Sequence, residues 1–173
     1  AVLAAAACLT VIEPTSNGLG GDAFAIVWHN GRMYGLNSSG PAPALADAAF
    51  LREKYGEMPS LGWYPVTVPG ILDAWAALNG RFGRLTLADT LSAAIDYAEH
   101  GFPVAPVTAR FWEQGYRTFS ARGGEFGEWL DTFAPHGRAP RAGEVAYLPR
   151  HAESLREIAE TNAESFYRGR LAG

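Results

Sequence analysis

With 173 residues, 48% of them hydrophobic, the chain is long enough for one packed domain or a large piece of one, which excludes a disordered tail or a short peptide. Fourteen basic residues against eighteen acidic ones leave a net charge of −4, and the arginines of residues 101–173 are matched by as many acids. No basic face for nucleic acid announces itself. The single cysteine, Cys8, excludes an internal disulfide and, set in an apolar run, reads as a packed thiol. That leaves the compartment open between cytoplasm and periplasm or export.

The opening run Ala1–Ile12 is apolar on all sides but far shorter than the roughly 20 residues of a membrane-spanning helix. It reads as a central helix packed all round. A signal-peptide core is the competing reading, but no initiating Met or basic region precedes the run, and it flows on without a polar mature start. The chain opens mid-helix, with no capping residue before Ala1, which implies residues lost upstream.

A glycine-rich turn, Asn17-Gly18-Leu19-Gly20-Gly21-Asp22, then leads into a hairpin. Asn30-Gly31 is the dipeptide preferred by a two-residue type I′ turn, where both residues need positive φ. On the first strand Phe24, Ile26 and Trp28 share one face and Ala23, Ala25 and Val27 the other, so both faces are apolar. Such a strand is expected to be covered twice, in a layered fold with helices outside the sheet.

Beyond Pro43 the pattern turns helical. Ala44–Tyr55 carries Leu45, Ala49 and Phe50 at helical spacing and stops at Gly56, and Glu57–Val68 reads as loop. Pro69 suits the first turn of a helix through Ile71, Leu72, Trp75 and Leu78 that Gly80 ends. Thr86-Leu87-Ala88-Asp89 has the form of a capping arrangement for a helix reaching His100, closed by Gly101. A shorter helix around Val107–Gln114 follows, then an extended connection over Gly123–Pro149 with little regular structure. Helices at Ala152–Glu160 and Ala163–Leu171 complete the reading.

Chemistry is scarcer than structure. His29, His100, His136 and His151 show no metal-pair spacing, so neither metal nor cofactor is implied. Lys54, the sole lysine, lies beside Arg52 and Glu53 and reads as a solvated side chain rather than an amine nucleophile. No Gly-x-Ser-x-Gly elbow occurs. Gly18-Leu19-Gly20-Gly21 follows a helix and opens a strand, the reverse of a dinucleotide loop, so its glycines read as permitting a tight helix-to-strand passage. Glu125 and Glu128 read as a solvated pair in a glycine-rich loop rather than as general acid and base.

The string Pro14-Thr15-Ser16-Asn17-Gly18-Leu19-Gly20-Gly21-Asp22-Ala23-Phe24, within residues 4–24, resembles the start of the gamma-glutamyltranspeptidase family. Three further segments resemble that family in the same order. These are Gly62–Gly70 with Thr67-Val68-Pro69-Gly70, Thr86–Phe102 with Ala93-Ala94-Ile95 and Glu99-His100-Gly101-Phe102, and Leu155-Arg156-Glu157-Ile158-Ala159 followed by Phe166-Tyr167-Arg168-Gly169. Each string is weak by itself; their order and spacing carry the likeness across nearly the whole chain.

The resemblance implies an α+β fold, part of the four-layer αββα sandwich of an N-terminal-nucleophile hydrolase, with one apolar hairpin followed by a mainly helical region. Residues 1–173 would be a partial domain, the N-terminal portion of the large subunit, truncated at both ends. The family's precursor cuts itself, and a threonine freed at the start of the small subunit attacks an amide carbonyl with its own α-amino group as general base. Backbone donors of that subunit hold the oxyanion. The implied partners are therefore a small subunit and a small-molecule amide or peptide substrate. No catalytic residue is implied in this chain: Thr10, Thr15, Thr67 and Thr86 read as helix, turn, loop and cap residues, and the fragment alone is expected to be inert.

One departure stands out. The family carries an arginine in an Asp-Phe-Arg-Glu-Met-Ala-Pro-like segment whose guanidinium grips the glutamyl α-carboxylate. Aligned on Ala42-Pro43, that arginine falls on Ser39, the aspartate on Asn37 and the glutamate on Gly40. A serine hydroxyl makes no bidentate charged contact, so a non-classical acyl specificity is expected, with Asn37 and Ser39 in the pocket wall and Arg32 as a substitute cation from the neighbouring strand. Hydrolase and transferase stay open, and a non-catalytic homologue that keeps the scaffold for binding or assembly is the alternative.

Overall fold

The computed structural model describes residues 1–44 and 46–173; Leu45, assigned above to the second helix, lies outside the described residues. In chain order the elements are α1 (Val2–Ile12), β1 (Ala23–His29), β2 (Arg32–Ser38), α2 (Ala48–Tyr55), α3 (Ile71–Phe82), α4 (Leu87–His100), β3 (Phe102–Pro103), α5 (Pro106–Ser120), α6 (Gly127–Phe133), β4 (Val145–Ala146), α7 (Pro149–Glu160) and α8 (Glu164–Arg168). This is an α+β chain in two compact units, one of residues 19–77 and one of residues 1–18 with 78–173.

In the first unit β1 and β2 pair antiparallel from Ala23 opposite Ser38 to His29 opposite Arg32. Asn30 and Gly31 take φ of 50° and 74°, as the type I′ turn demands. The described residues cover one face of the hairpin only. Ala23, Ala25, Val27, Tyr34 and Leu36 are half-buried, whereas Phe24, Ile26, Trp28 and Met33 on the other face are 69%, 79%, 71% and 65% exposed. Apolar side chains suit a face to burial, but the cover itself must come from other residues, and the described ones do not supply it.

Helix α2 starts at Ala48 rather than Ala44 because the Asp47 carboxylate accepts the Ala49 N–H at 2.8 Å, satisfying a free donor of the first turn. Gly56, at φ 76°, closes it as expected. Residues 57–68 form the expected loop without helix or strand. Helix α3 runs through Gly80 to Phe82, past the expected stop, because a helix interior tolerates a glycine at a cost of only about 1 kcal/mol.

In the second unit α1 packs on α4, and α4 on α7. Their seam is made by Ala7 and Val11, by Leu91, Ala94 and Ala98, and by Ala152, Leu155 and Ile158, all buried. The small side chains of α4 let its neighbours approach closely. Helix α1 is therefore not packed all round: Leu9 and Val2 are exposed, and the thiol of Cys8 is only half-buried, with burial raising its pKa. The capping box at Thr86 and Asp89 forms reciprocally, and Gly101 at φ 91° ends α4.

The structure departs furthest from the expected elements between Pro106 and Pro149. Helix α5 reaches Ser120, and the supposed extended connection contains α6 and strand β4, which pairs with β3. The reason is aromatic packing. Phe126, Trp129 and Phe133 stand at i, i+3 and i+7, and Phe119 of α5 meets both Phe126 and Trp129 with ring centroids 4.7 Å apart. The Trp112 indole N–H donates to the Phe133 carbonyl at 2.7 Å. Glu128, expected to be solvated, is exposed and pairs with Arg150 at 3.6 Å. The final segment forms α8 at Glu164–Arg168 rather than one helix from Ala163 to Leu171, since Ala163 takes φ 69° and Gly169 interrupts it.

His151 of α7 lies edge-on to Phe133 at 6.2 Å, and its Nε2 is buried without a hydrogen-bond partner among the described residues. Burial lowers its pKa, because an imidazolium there would lose its hydration. As pH falls below the ordinary histidine value of about 6.5, the unfolded chain takes up the proton first, so stability falls with pH. Thermal unfolding between pH 7 and pH 5 is expected to show this loss, and His151→Phe to reduce it. Thr86→Ala is expected to cost about 1 kcal/mol in the same measurement, through loss of the cap.

Candidate functional site

Three separate segments of the first unit meet at one point: the turn ending in Gly21-Asp22, the end of β2 with Ser38–Pro41, and the loop Thr67–Ile71. The Gly21 carbonyl accepts the N–H groups of Gly70 at 3.1 Å and Ile71 at 3.0 Å, and so satisfies donors that the start of α3 would otherwise leave free. Asp22 Oδ1 accepts the Gly40 N–H at 3.4 Å and the Thr67 hydroxyl at 3.3 Å. The Ser38 hydroxyl donates to the Gly70 carbonyl at 2.8 Å, and the Val68 N–H donates to Pro41 O at 3.0 Å.

The contact is closest at two glycines. A Cβ on Gly40 would lie 1.5 Å from the Val68 carbonyl oxygen, and one on Gly70 would lie 1.9 Å from that of Ser38. Neither position admits any other residue without backbone movement. In the turn the opposite holds. Gly18 and Gly20 have open space and no positive φ, so neither is needed for the tight passage assigned to them.

Asn37 and Ser39 stand together at this junction, where the Asn37 side-chain oxygen accepts the Ser39 N–H at 3.0 Å. That bond folds the chain out of β2 and leaves Ser39 exposed. Arg32 is not brought to them. It pairs with His29 at the turn end of the hairpin, roughly 20 Å away at the rise of a strand, and its guanidinium lies over the Tyr34 ring at 5.4 Å. In the sequence Asp22 has only the form of a turn residue, and nothing ties Thr67-Val68-Pro69-Gly70 to the hairpin, because no local pattern reports a contact between residues 45 positions apart.

Beside the junction lies a cavity of about 330 Å³ lined by Pro43, Ala46, Trp63, Tyr64, Val66, Thr67 and Val68. Lys54 lies near the Tyr64 ring that lines it. It is exposed as expected, but its ammonium lies 5.3, 5.1 and 5.8 Å from the ring centroids of Phe50, Tyr55 and Tyr64. Elsewhere, Glu144 receives both guanidinium nitrogens of Arg138 and the Arg141 N–H, which hold its pKa down to about 2. His100 pairs with Asp96 at 2.9 Å. No group of three or more metal-ligating side chains gathers among the described residues, and no helix there is long and apolar enough to cross a membrane.

The same backbone recurs in enzymes that act through an N-terminal nucleophile. The chain superposes on the crystal structure of cephalosporin acylase from Bacillus halodurans with a TM-score of 0.94 and 50% identity, over 98% of this chain and 32% of that one. The family model for gamma-glutamyltranspeptidase matches residues 1–173, and the chain belongs to that family. It is 36% identical to the glutathione hydrolase-like YwrD proenzyme of Bacillus subtilis and 35% identical to the oxamate amidohydrolase proenzyme of Klebsiella pneumoniae, in each case over 99% of this chain. It spans about a third of the length of these curated relatives, 32% and 33%.

Gly40→Ala and Gly70→Ala are expected to destabilise the protein by about 3 kcal/mol or more, at or above the upper end of ordinary overpacking. Gly20→Ala, with open space, is expected to stay within about 1 kcal/mol of the parent. Chemical denaturation of the three variants checks the contrast.

Proposed function

We propose that this chain forms the N-terminal part of the large subunit of a self-cleaving amide-bond enzyme whose acyl group is not an ordinary γ-glutamyl. The small subunit supplies the nucleophilic threonine, and residues 1–173 supply one wall of the pocket. Asn37 and Ser39 belong to that wall. Family membership supports the reaction class, and the names of the relatives point the same way: glutathione hydrolase-like, oxamate amidohydrolase and cephalosporin acylase all denote amide chemistry on different acyl groups.

The observation that carries the specificity is residue 39. Its hydroxyl replaces a guanidinium, and Arg32 at the other end of β2 does not substitute for it. A charge-assisted hydrogen bond contributes about 1.5–3 kcal/mol, so its absence removes most of the selectivity for a glutamyl α-carboxylate.

The protein expressed from its complete coding sequence is expected to appear on a denaturing gel as two fragments, the smaller beginning with threonine. An uncut band would favour a non-catalytic homologue that keeps the scaffold for binding. Hydrolysis of a γ-glutamyl anilide is expected to be weak and to rise about tenfold or more in kcat/KM with Ser39→Arg. Unchanged activity in that variant would show that position 39 does not govern glutamyl recognition.

A further inference from the structure

We infer that the cavity beside the junction binds an uncharged aromatic group of the amide substrate. The inference rests on the amide-enzyme reading and deepens it. Its volume of about 330 Å³ lies within the range of about 300–1,000 Å³ typical of small-molecule sites. None of the lining residues carries a charge. Pro43, Ala46, Val66 and Val68 are apolar, and the Thr67 hydroxyl is already engaged by Asp22. A carboxylate or ammonium entering here would exchange its hydration for a lining of uncharged side chains.

Two aromatic side chains complete the lining. Trp63 is 74% exposed, an apolar surface that a bound ring would cover. The Tyr64 ring packs against those of Phe50 and Tyr55 of α2, with centroids 5.9 and 5.6 Å away, and has the Lys54 ammonium 5.8 Å from its centre. The wall is thus braced before any ligand arrives, which lowers the ordering cost of binding.

The cavity is also coupled to residues 37–40. Val68 lines it and at the same time donates its N–H to Pro41 and presses its carbonyl against Gly40. A substrate whose acyl group lies along Asn37–Gly40 would reach the cavity with a neighbouring substituent.

The test uses the processed full-length protein and three amides: acetamide as parent, phenylacetamide with the ring on the acyl side, and N-benzylacetamide with the ring on the amine side. At least one aromatic amide is expected to exceed acetamide in kcat/KM by about 10–100-fold, and which one does so assigns the cavity to the acyl or the amine side. Ala46→Trp, which fills the cavity, is expected to lower that ratio about tenfold or more. A ratio near one in the parent, or one unchanged by Ala46→Trp, overturns the inference. If no amide is cleaved, the amide-enzyme reading fails separately, and the cavity is judged by binding of phenylacetamide followed by NMR. Saturable binding weakened about tenfold by Ala46→Trp supports it, and absence of binding, or binding that Ala46→Trp leaves unchanged, overturns it.

Discussion

Backbone pressed on backbone at two glycines is the constraint on which the candidate site depends. Gly40 lies against the Val68 carbonyl and Gly70 against that of Ser38, and each approach is closer than any side chain permits. These contacts set the end of β2 against the loop before α3. The polar groups then follow. Once the two segments touch, Asp22 reaches both the Gly40 amide and the Thr67 hydroxyl, and the Gly21 carbonyl closes the first turn of α3. Backbone groups that crowding would otherwise leave without water find protein partners instead.

That arrangement gives the junction an electrostatic character of its own. Ser39, the position that the family resemblance aligns with a guanidinium, carries a neutral hydroxyl and is exposed, its N–H bonded to the Asn37 side chain. The side chains lining the adjoining cavity are uncharged, and the one carboxylate at the junction, Asp22, is engaged by the Gly40 amide and the Thr67 hydroxyl. The braced Tyr64 and the exposed Trp63 supply flat apolar surface.

Features governed by neighbours in the chain were legible in advance. Asn30-Gly31 turned as expected, and Thr86 and Asp89 capped α4 as expected, because the groups involved lie within three residues of one another. Asp47 illustrates the limit of such reading: a cap residue is visible in the string, but helical spacing upstream of it concealed the true start of α2. Helix α6 was hidden for a different reason. Its glycines and flanking prolines read as a connection, and only the fit of Trp129 and Phe133 against α5 and Trp112 makes a short helix worthwhile.

The sequence by itself determined the hairpin and its turn, the capped helix α4, the family resemblance and the serine at position 39. All of these depend on residue identity and on interactions of short reach. Tertiary structure decided which glycines are indispensable, that Asp22 joins segments 45 residues apart, that Arg32 stands away from Ser39, and that Pro43 and Ala46 line an apolar cavity with Trp63, Tyr64 and residues 66–68. Those outcomes depend on where distant parts of the chain come to rest against one another, and packing of that kind has no period or motif in the string that encodes it.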